Sequence, residues 1–222
     1  MADVITQNHP AQDVLIELHY LPCLDYFACL LSHRAVWLEA HESYPKQTYR
    51  NRCRVLTTNK VDTLTVPVQA GRSRQLMRDV KIDYGQAWIR RHWGCFRAAY
   101  GKSPFFEYYA PELEAVFQQK PIFLADLNER LLTICLRLLG ITKNVQYTLS
   151  YEKEATSTIF DARSLISDKN GPESTIFMKK VPYYQTFGND FLTNLSIVDL
   201  LFNQGPEARH ILTESLRAPI GV

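Results

Sequence analysis

Two histidines of this sequence stand where an imidazole can do proton chemistry. His19 follows an apolar run at residues 14–18 that is typical of a buried strand, and ligands gather at the carboxyl ends of strands in open α/β sheets. His92 lies on the apolar face of a predicted helix over residues 86–100. Since imidazole titrates near neutrality, either residue could serve as a general base. Two simpler interpretations remain open, a turn residue for His19 and a hydrogen-bonded core residue for His92.

A second polar cluster, at residues 39–52, places one His, two Glu, one Lys and two Arg within one short stretch. Lys46, Arg50 and Arg52 supply fixed positive charge, and the planar fork of arginine suits phosphate or carboxylate. In an extended segment Arg50 and Arg52 share one face and Asn51 takes the other. We predict that the three cations clamp an anion and that Asn51 orients it. A charged loop facing solvent is the alternative.

Aromatic residues accompany both polar regions. Tyr49 lies among the charges of the second cluster, Trp88 precedes His92 by one helical turn, and Tyr100 ends the same predicted helix. Flat rings of this kind suit stacking on a sugar or a base. We therefore predict that Tyr49, Trp88 and Tyr100 contribute to substrate binding.

Charge is distributed unevenly along the chain. The formal net charge is +2, but residues 46–102 contain thirteen Lys or Arg against three Asp, a local balance of +10. This segment is suited to holding an anion such as the diphosphate of an activated sugar, although charges at this density also solvate an exposed face. A near-neutral chain without a recognition motif argues against nucleic acid as the partner.

Common catalytic and cofactor motifs are absent. No G-x-G-x-x-G follows a strand, and neither a P-loop, nor G-x-S-x-G, nor H-E-x-x-H occurs. The five cysteines contain no Cys-x-x-Cys pair, so we predict no disulfide scaffold and no zinc site. The spacing of His19, Glu39, His41 and Glu42 matches no metal site. The sequence identifies no cofactor.

The elements that would position these residues alternate in an α/β pattern. Apolar runs predict strands at residues 14–18, 35–38, 50–56, 63–68 and 145–149. Helical periodicity predicts helices at 86–100, 104–118, 121–140 and 194–203, with another after 205. Residues 157–184, with a turn at 170–172, read as a long loop. We predict an α/β fold, with a mixed sheet from the N-terminal half covered by helices from the middle and C-terminal parts.

The number of domains and the cellular compartment are inferred from the length, the apolar runs and the N-terminal charges of the sequence. Residues 1–222 show no repeat and no linker, which favours one domain. No run of 18 apolar residues is present, and the first fifteen residues contain two acids and no base, unlike a signal peptide. We therefore expect a cytoplasmic protein without a transmembrane segment.

The order of these motifs resembles the WbqC-like family, whose members occur in bacterial gene clusters for surface polysaccharide. The matching residues run through nearly the whole chain: His19, Pro22, Tyr26, Phe27, Glu39, Lys46, Tyr49, Asn51, Arg52, Leu64 to Val68, Trp88, His92, Tyr100, Pro104 to Phe106, and Leu195 to Gly205. The chain departs from the family at residues 23–25, where Trp and Gly are frequent, and at Glu39, where Asp is frequent.

The resemblance implies a bacterial cytoplasmic protein that modifies a nucleotide-linked or lipid-linked sugar. Together with the residues above, it leads to two hypotheses. The first is a transferase, of acyl or aminoacyl type, acting on an activated sugar with His92 or His19 as the base. The second is a non-catalytic protein that binds a glycan intermediate or another anionic ligand.

Overall fold

Short strands and longer helices alternate along the chain and build two small sheets enclosed by helices. The computed structural model describes residues 12–58, 60–71, 74–167, 169, 174–188 and 190–218. The strands are β1 Asp13–Glu17, β2 Ala35–Glu39, β3 Arg52–Leu56, β4 Val61–Thr65, β5 Asn144–Tyr147 and β6 Ile159–Asp161. The α-helices are α1 Leu24–Ser32, α2 Trp88–Tyr100, α3 Phe106–Gln118, α4 Leu124–Leu138, α5 Ile197–Gln204 and α6 Ala208–Ser215.

The larger sheet is parallel, with strand order β5-β2-β1-β6. Parallel neighbours need a crossover between them, which α1 provides for β1 and β2. The apolar residues of β1 are buried on both faces, as expected for a strand covered on both sides. Since the four strands run in the same direction, their carboxyl ends meet at one edge of the sheet, and the residues that follow them come close together.

The α/β class predicted from sequence is confirmed, but the strands divide differently. β3 and β4 pair antiparallel with each other in a separate two-stranded sheet. The parallel sheet takes both outer strands, β5 and β6, from the C-terminal half. β6 falls where the sequence predicted a loop, since its three residues are only partly buried and are too few to show a strand period.

The helical half follows the predicted periodicity closely. In α2 the buried residues include His92, Phe96 and Tyr100, while Arg91 and Arg97 are exposed. α4 ends just before Gly140, whose φ of 63° is the left-handed conformation that favours glycine past a helix end. These helices bury one face each against the sheets and against each other.

Buried side chains from Val14 to Leu212 belong to the same hydrophobic cluster. A single domain over residues 1–222 stays a prediction. The predicted turn at 170–172 and the first eleven residues lie outside the described part of the chain. No helix in the described ranges has the length and apolarity needed to cross a bilayer.

Candidate functional site

Three of the four parallel strands end in a carboxylate. Glu17 ends β1, Glu39 ends β2 and Asp161 ends β6, and Glu17 is the register partner of Glu39. Both glutamates are 1% exposed, so their charges need partners inside the fold. The partners come from the turns that follow the strands. We call this group the sheet-edge cluster: Glu17, His19, Glu39, Glu42, Arg50 and Arg163.

Glu17 and His19 form a buried carboxylate–imidazole pair. Nε2 of His19 lies 3.4 Å from Oε1 of Glu17, at the long end of hydrogen-bonding distance. The imidazole packs against Tyr26 and Tyr49, with ring centroids 4.9 and 5.6 Å away. Within the described residues neither Nδ1 nor Nε2 of His19 meets the geometry of a hydrogen bond, so Nε2 only faces the carboxylate and Nδ1 has no partner. With the proton on Nε2 facing the carboxylate, Nδ1 is left as an unused acceptor.

The electrostatics of the pair favour a neutral imidazole beside an ionised carboxylate. Burial lowers the pKa of His19, and the charge of Arg50 lowers it further, although Glu17 opposes both. Burial acts to raise the pKa of Glu17, but the contact with His19 and the permanent charge of Arg50 outweigh it and hold the value at about 2. A neutral imidazole with a free nitrogen is the form that a general base requires.

Arg50 is buried and already paired with protein carboxylates. Its Nε and Nη2 donate to the two oxygens of Glu42 over 2.5 and 2.7 Å, a bidentate arrangement. Nη2 also lies 3.3 Å from Oε1 of Glu17. The guanidinium therefore links two glutamates, and its donors point into the protein.

Glu39 holds the neighbouring turns together. One of its oxygens accepts hydrogen bonds from the backbone N–H of His41 and from the hydroxyl of Thr148. The other lies 3.3 Å from Nη1 of Arg163, which also pairs with Asp161. The turns after β2, β5 and β6 are thus tied to one carboxylate.

Strained backbone surrounds the cluster. Leu21 and Ser164 have φ values of 40° and 62°, in the left-handed region that is costly for residues other than glycine. Leu21 lies two residues after His19, and the backbone N–H of Ser164 donates to both oxygens of Glu17. Conformations of this kind concentrate at functional sites, where the surrounding structure enforces them.

A small polar cavity of about 170 Å³ is lined by Lys46. Tyr44, Gln69, Arg74 and Gln75 also line this space, which we call the Lys46 cavity. Burial raises the pKa of Tyr44 to about 12, while the nearby charges of Arg50 and Arg52 act in the opposite direction. Tyr44 therefore connects the cavity to the arginines of the second cluster.

Three other residues that were predicted to bind the substrate, Arg52, Asn51 and Tyr49, differ in burial and in hydrogen bonding. Arg52 begins β3 and is half-buried, and its Nε has no hydrogen-bond partner among the described residues. Asn51 is buried and donates to the backbone carbonyl of Val66, which fixes β4 to the preceding turn. Tyr49 is buried against His19, and its carbonyl accepts from the N–H of Tyr20.

His92 lies in the aromatic core and engages both ring nitrogens. Nδ1 is 2.8 Å from the hydroxyl of Tyr20, and Nε2 is 3.2 Å from the carbonyl of Thr65. The residue is 1% exposed, and burial lowers its pKa to about 4. Trp88 packs edge-on against this imidazole at 5.1 Å. The surroundings of His92 are those of a hydrogen-bonded core residue.

Tyr100 lies at the end of α2 and is also buried. Its ring packs against Phe202 of α5 at a centroid distance of 5.3 Å. Of the residues singled out from the sequence, the fold thus gathers His19, Tyr49 and Arg50 at the sheet edge. It places Trp88, His92 and Tyr100 in the core around α2.

Sequence reasoning missed Glu17 and Arg163, and it named Glu42 without predicting that this residue pairs with Arg50. A signal for Glu17 was present, since residues two apart in an extended chain share a face and Glu17 precedes His19 by two. No local signal exists for Arg163, which lies 124 positions from its partner Glu39. Across the described ranges, no group of three or more His, Cys, Asp or Glu side chains is arranged to hold a metal ion.

Comparison with known proteins identifies one matching family. A sequence model of the WbqC-like protein family matches residues 18–170 and 168–211 of the chain. The Mycobacterium tuberculosis protein named Uncharacterized protein Rv1507c is 28% identical over 218 residues, which covers 87% of this chain and 94% of that protein. No solved structure gives a significant match.

Proposed function

This chain belongs to the WbqC-like protein family, and from that premise we propose that it transfers an acyl or aminoacyl group to an activated sugar in bacterial surface-polysaccharide biosynthesis. The observation that carries the proposal is the buried pair of Glu17 and His19, with Nδ1 of the imidazole unpaired among the described residues. A carboxylate that orients a neutral histidine is a recurrent arrangement in acyl transfer.

The proposed step uses the pair as follows. The amino group of the sugar attacks the carbonyl carbon of an acyl thioester, so that a C–N bond forms and the C–S bond breaks. Nδ1 of His19 takes the proton from the amine and delivers it to the departing sulfur. Glu17 remains ionised and stabilises the imidazolium that forms between these events.

The charge of the sheet-edge cluster supports an amine as the acceptor. The sheet-edge cluster contains the carboxylates of Glu17, Glu39 and Glu42, and Asp161 adds a fourth beside Arg163; against the guanidiniums of Arg50 and Arg163 this is an excess of two negative charges. An amine acceptor is better suited to this surrounding than an anion.

Binding of the sugar's phosphate is then assigned to the neighbouring Lys46 cavity. Lys46 and Arg74 line it, and Arg52 lies nearby with its Nε unpaired in the described part of the chain. Arg50, in contrast, is occupied by Glu42 and Glu17, so we propose that it positions the cluster. We propose a cytoplasmic location, which five free cysteines favour.

Thiol release tests the proposal. The intact chain is incubated with acetyl-coenzyme A or a glycyl thioester and with a UDP-linked amino sugar, and the freed thiol is measured. We expect His19→Gln to lower turnover by about 10²–10⁴-fold. The thermal shift given by the amino sugar should be unchanged in that variant. Wild-type turnover that His19→Gln leaves intact would contradict the assignment of the base.

A non-catalytic binding protein is the second candidate, and the enclosure of the site favours it. His19 is 1% exposed and Arg50 is already paired with Glu42 and Glu17, so a ligand must displace covering side chains to reach Nδ1. This candidate predicts that the UDP-linked amino sugar stabilises the chain while no acyl donor is consumed. A ligand at 100 times its dissociation constant adds about 2.7 kcal/mol of stability, which thermal unfolding detects readily.

A further inference from the structure

A cavity of about 660 Å³ lies beside α2, away from the sheet-edge cluster. Its walls come from Tyr84, from the exposed side of α2 and from residues in and after α3. The volume falls within the range of sites for small organic ligands. Since Gly94 of α2 lines this space, we call it the Gly94 cleft.

Gly94 stands in the middle of α2, where glycine is the least favourable residue except proline. Neither usual reason for a glycine holds at this position. Its backbone is helical, and a Cβ atom built on it would meet no atom within 4 Å. The protein thus accepts a poor helix residue where both conformation and packing permit a side chain. A glycine here leaves this part of the cleft wall open to a ligand.

The cleft carries an excess of positive charge. Arg90, Arg97 and Lys120 line it against one carboxylate, that of Glu114. Arg97 lies 3.7 Å from Glu114, a weak exposed pair. In the part of the chain that is described, the side chains of Arg90 and Lys120 form no ion pair. At least two cations are therefore available to an anionic ligand.

The remaining wall is aromatic and apolar. Tyr84 and Trp93 line the cleft; Tyr84 is half-buried, whereas Trp93 is 7% exposed and is held in place by edge-on contacts with Phe96 and Phe117. A rigid aromatic wall beside a group of cations suits a ligand that combines a flat ring with phosphates, because stacking and charge then act on different parts of it.

We propose that the Gly94 cleft binds a nucleoside diphosphate group, with the base against Tyr84 and next to the buried Trp93, and with the phosphates near Arg90, Arg97 and Lys120. The inference concerns binding alone and holds whether or not the chain is a transferase. It assigns a role to arginines of α2 that the proposed chemistry at the sheet edge does not use.

Calorimetric titration of the intact chain with UDP and with ADP tests the inference, and pyrophosphate and uridine serve as half-ligands. We expect the Gly94 cleft to bind one molecule of at least one nucleotide, at least about tenfold more tightly than either half-ligand and independently of Lys46 and Arg74 in the Lys46 cavity. The comparison of UDP with ADP shows whether the cleft prefers uracil or adenine. Absence of saturable binding of both nucleotides up to about 5 mM would overturn the proposal.

Matched variants place the ligand in the cleft. Gly94→Phe fills the floor and Arg90→Glu reverses a charge, and each should weaken nucleotide binding at least about tenfold. Gly94→Ala leaves most of the space open and should bind within about twofold of wild type. Arg91→Glu alters an exposed arginine of the same helix outside the cleft and should also have little effect. If Gly94→Phe does not fold, Arg90→Glu still decides, and unchanged binding in that variant would overturn the proposal.

Discussion

Oε1 of Glu17 lies 3.4 Å from Nε2 of His19, and Arg50 approaches the same oxygen atom to 3.3 Å. One carboxylate oxygen therefore faces both a histidine and a permanent cation. The cation keeps Glu17 ionised, and the ionised carboxylate fixes the orientation of the imidazole. The predictions that follow test this arrangement and the core around it.

Glu17→Gln should lower turnover in the thiol-release assay by roughly 10²-fold or more. The amide keeps the shape of the side chain but removes the charge that orients His19 and stabilises its protonated form. Glu17→Asp retains the charge at a shorter reach and should lose less. Equal rates in wild type and Glu17→Gln would contradict a role for the carboxylate in the reaction.

His92 should make stability depend on pH. Its pKa is about 4 in the fold, against an ordinary value of 6.5, so the unfolded chain binds the proton more readily between these values. Stability therefore rises with pH over this range, and acidification from 6.5 to 4 should remove about 3 kcal/mol through this residue. Urea unfolding at several pH values measures this loss of stability. His92→Gln is the comparison, because glutamine stays neutral throughout the range. Identical pH profiles would show that His92 does not resist protonation.

Arg50→Met should lower the free energy of unfolding by about 3–5 kcal/mol, because it leaves Glu42 and Glu17 buried without their cation. Arg34→Met is the matched control: this arginine also pairs with a carboxylate, Asp13, but its side chain is 74% exposed. It should have little effect. Chemical denaturation measures the free energy of unfolding of both variants. Similar losses would show that burial does not determine how much the Arg50 ion pairs contribute to stability.

Asp25→Ala should loosen the segment around residues 176–178. The carboxylate accepts hydrogen bonds from three consecutive backbone N–H groups there, and Asp25 is itself buried. Each of these N–H groups that stays buried without an acceptor lowers the free energy of unfolding by about 1–3 kcal/mol. Hydrogen exchange at 176–178 should accelerate strongly. Asp79→Ala, at an exposed aspartate, should leave exchange there unchanged.

Inorganic phosphate should stabilise the protein through the Lys46 cavity. In the double variant Lys46→Ala/Arg74→Ala, we expect the phosphate-induced rise in melting temperature to fall by about half or more, since both cations of the cavity are removed. Lys60→Ala, at an exposed lysine, is the control. If phosphate raised the melting temperature of the double variant as much as that of wild type, phosphate would bind outside the Lys46 cavity.

Much of the local structure was readable from the sequence. Apolar runs placed β1 and β2, and helical periodicity placed α2, α3 and α4, because side-chain burial repeats with the period of each element. The same reasoning put His19 at the end of a strand and His92 on a buried helix face. It could not find β6, whose three residues gain their strand conformation only by pairing with β1.

The sequence by itself determined the α/β class, the position of His19 at a strand end and the burial of His92. Only the tertiary structure decided which charges meet. Arg50 turned out to be bound by Glu42 and Glu17, and Arg163 reached Glu39 across 124 positions. The physical reason is that periodicity reports whether a side chain faces inward. Which buried acid meets which base depends on the register of parallel strands joined by long crossovers, and no local pattern encodes that register.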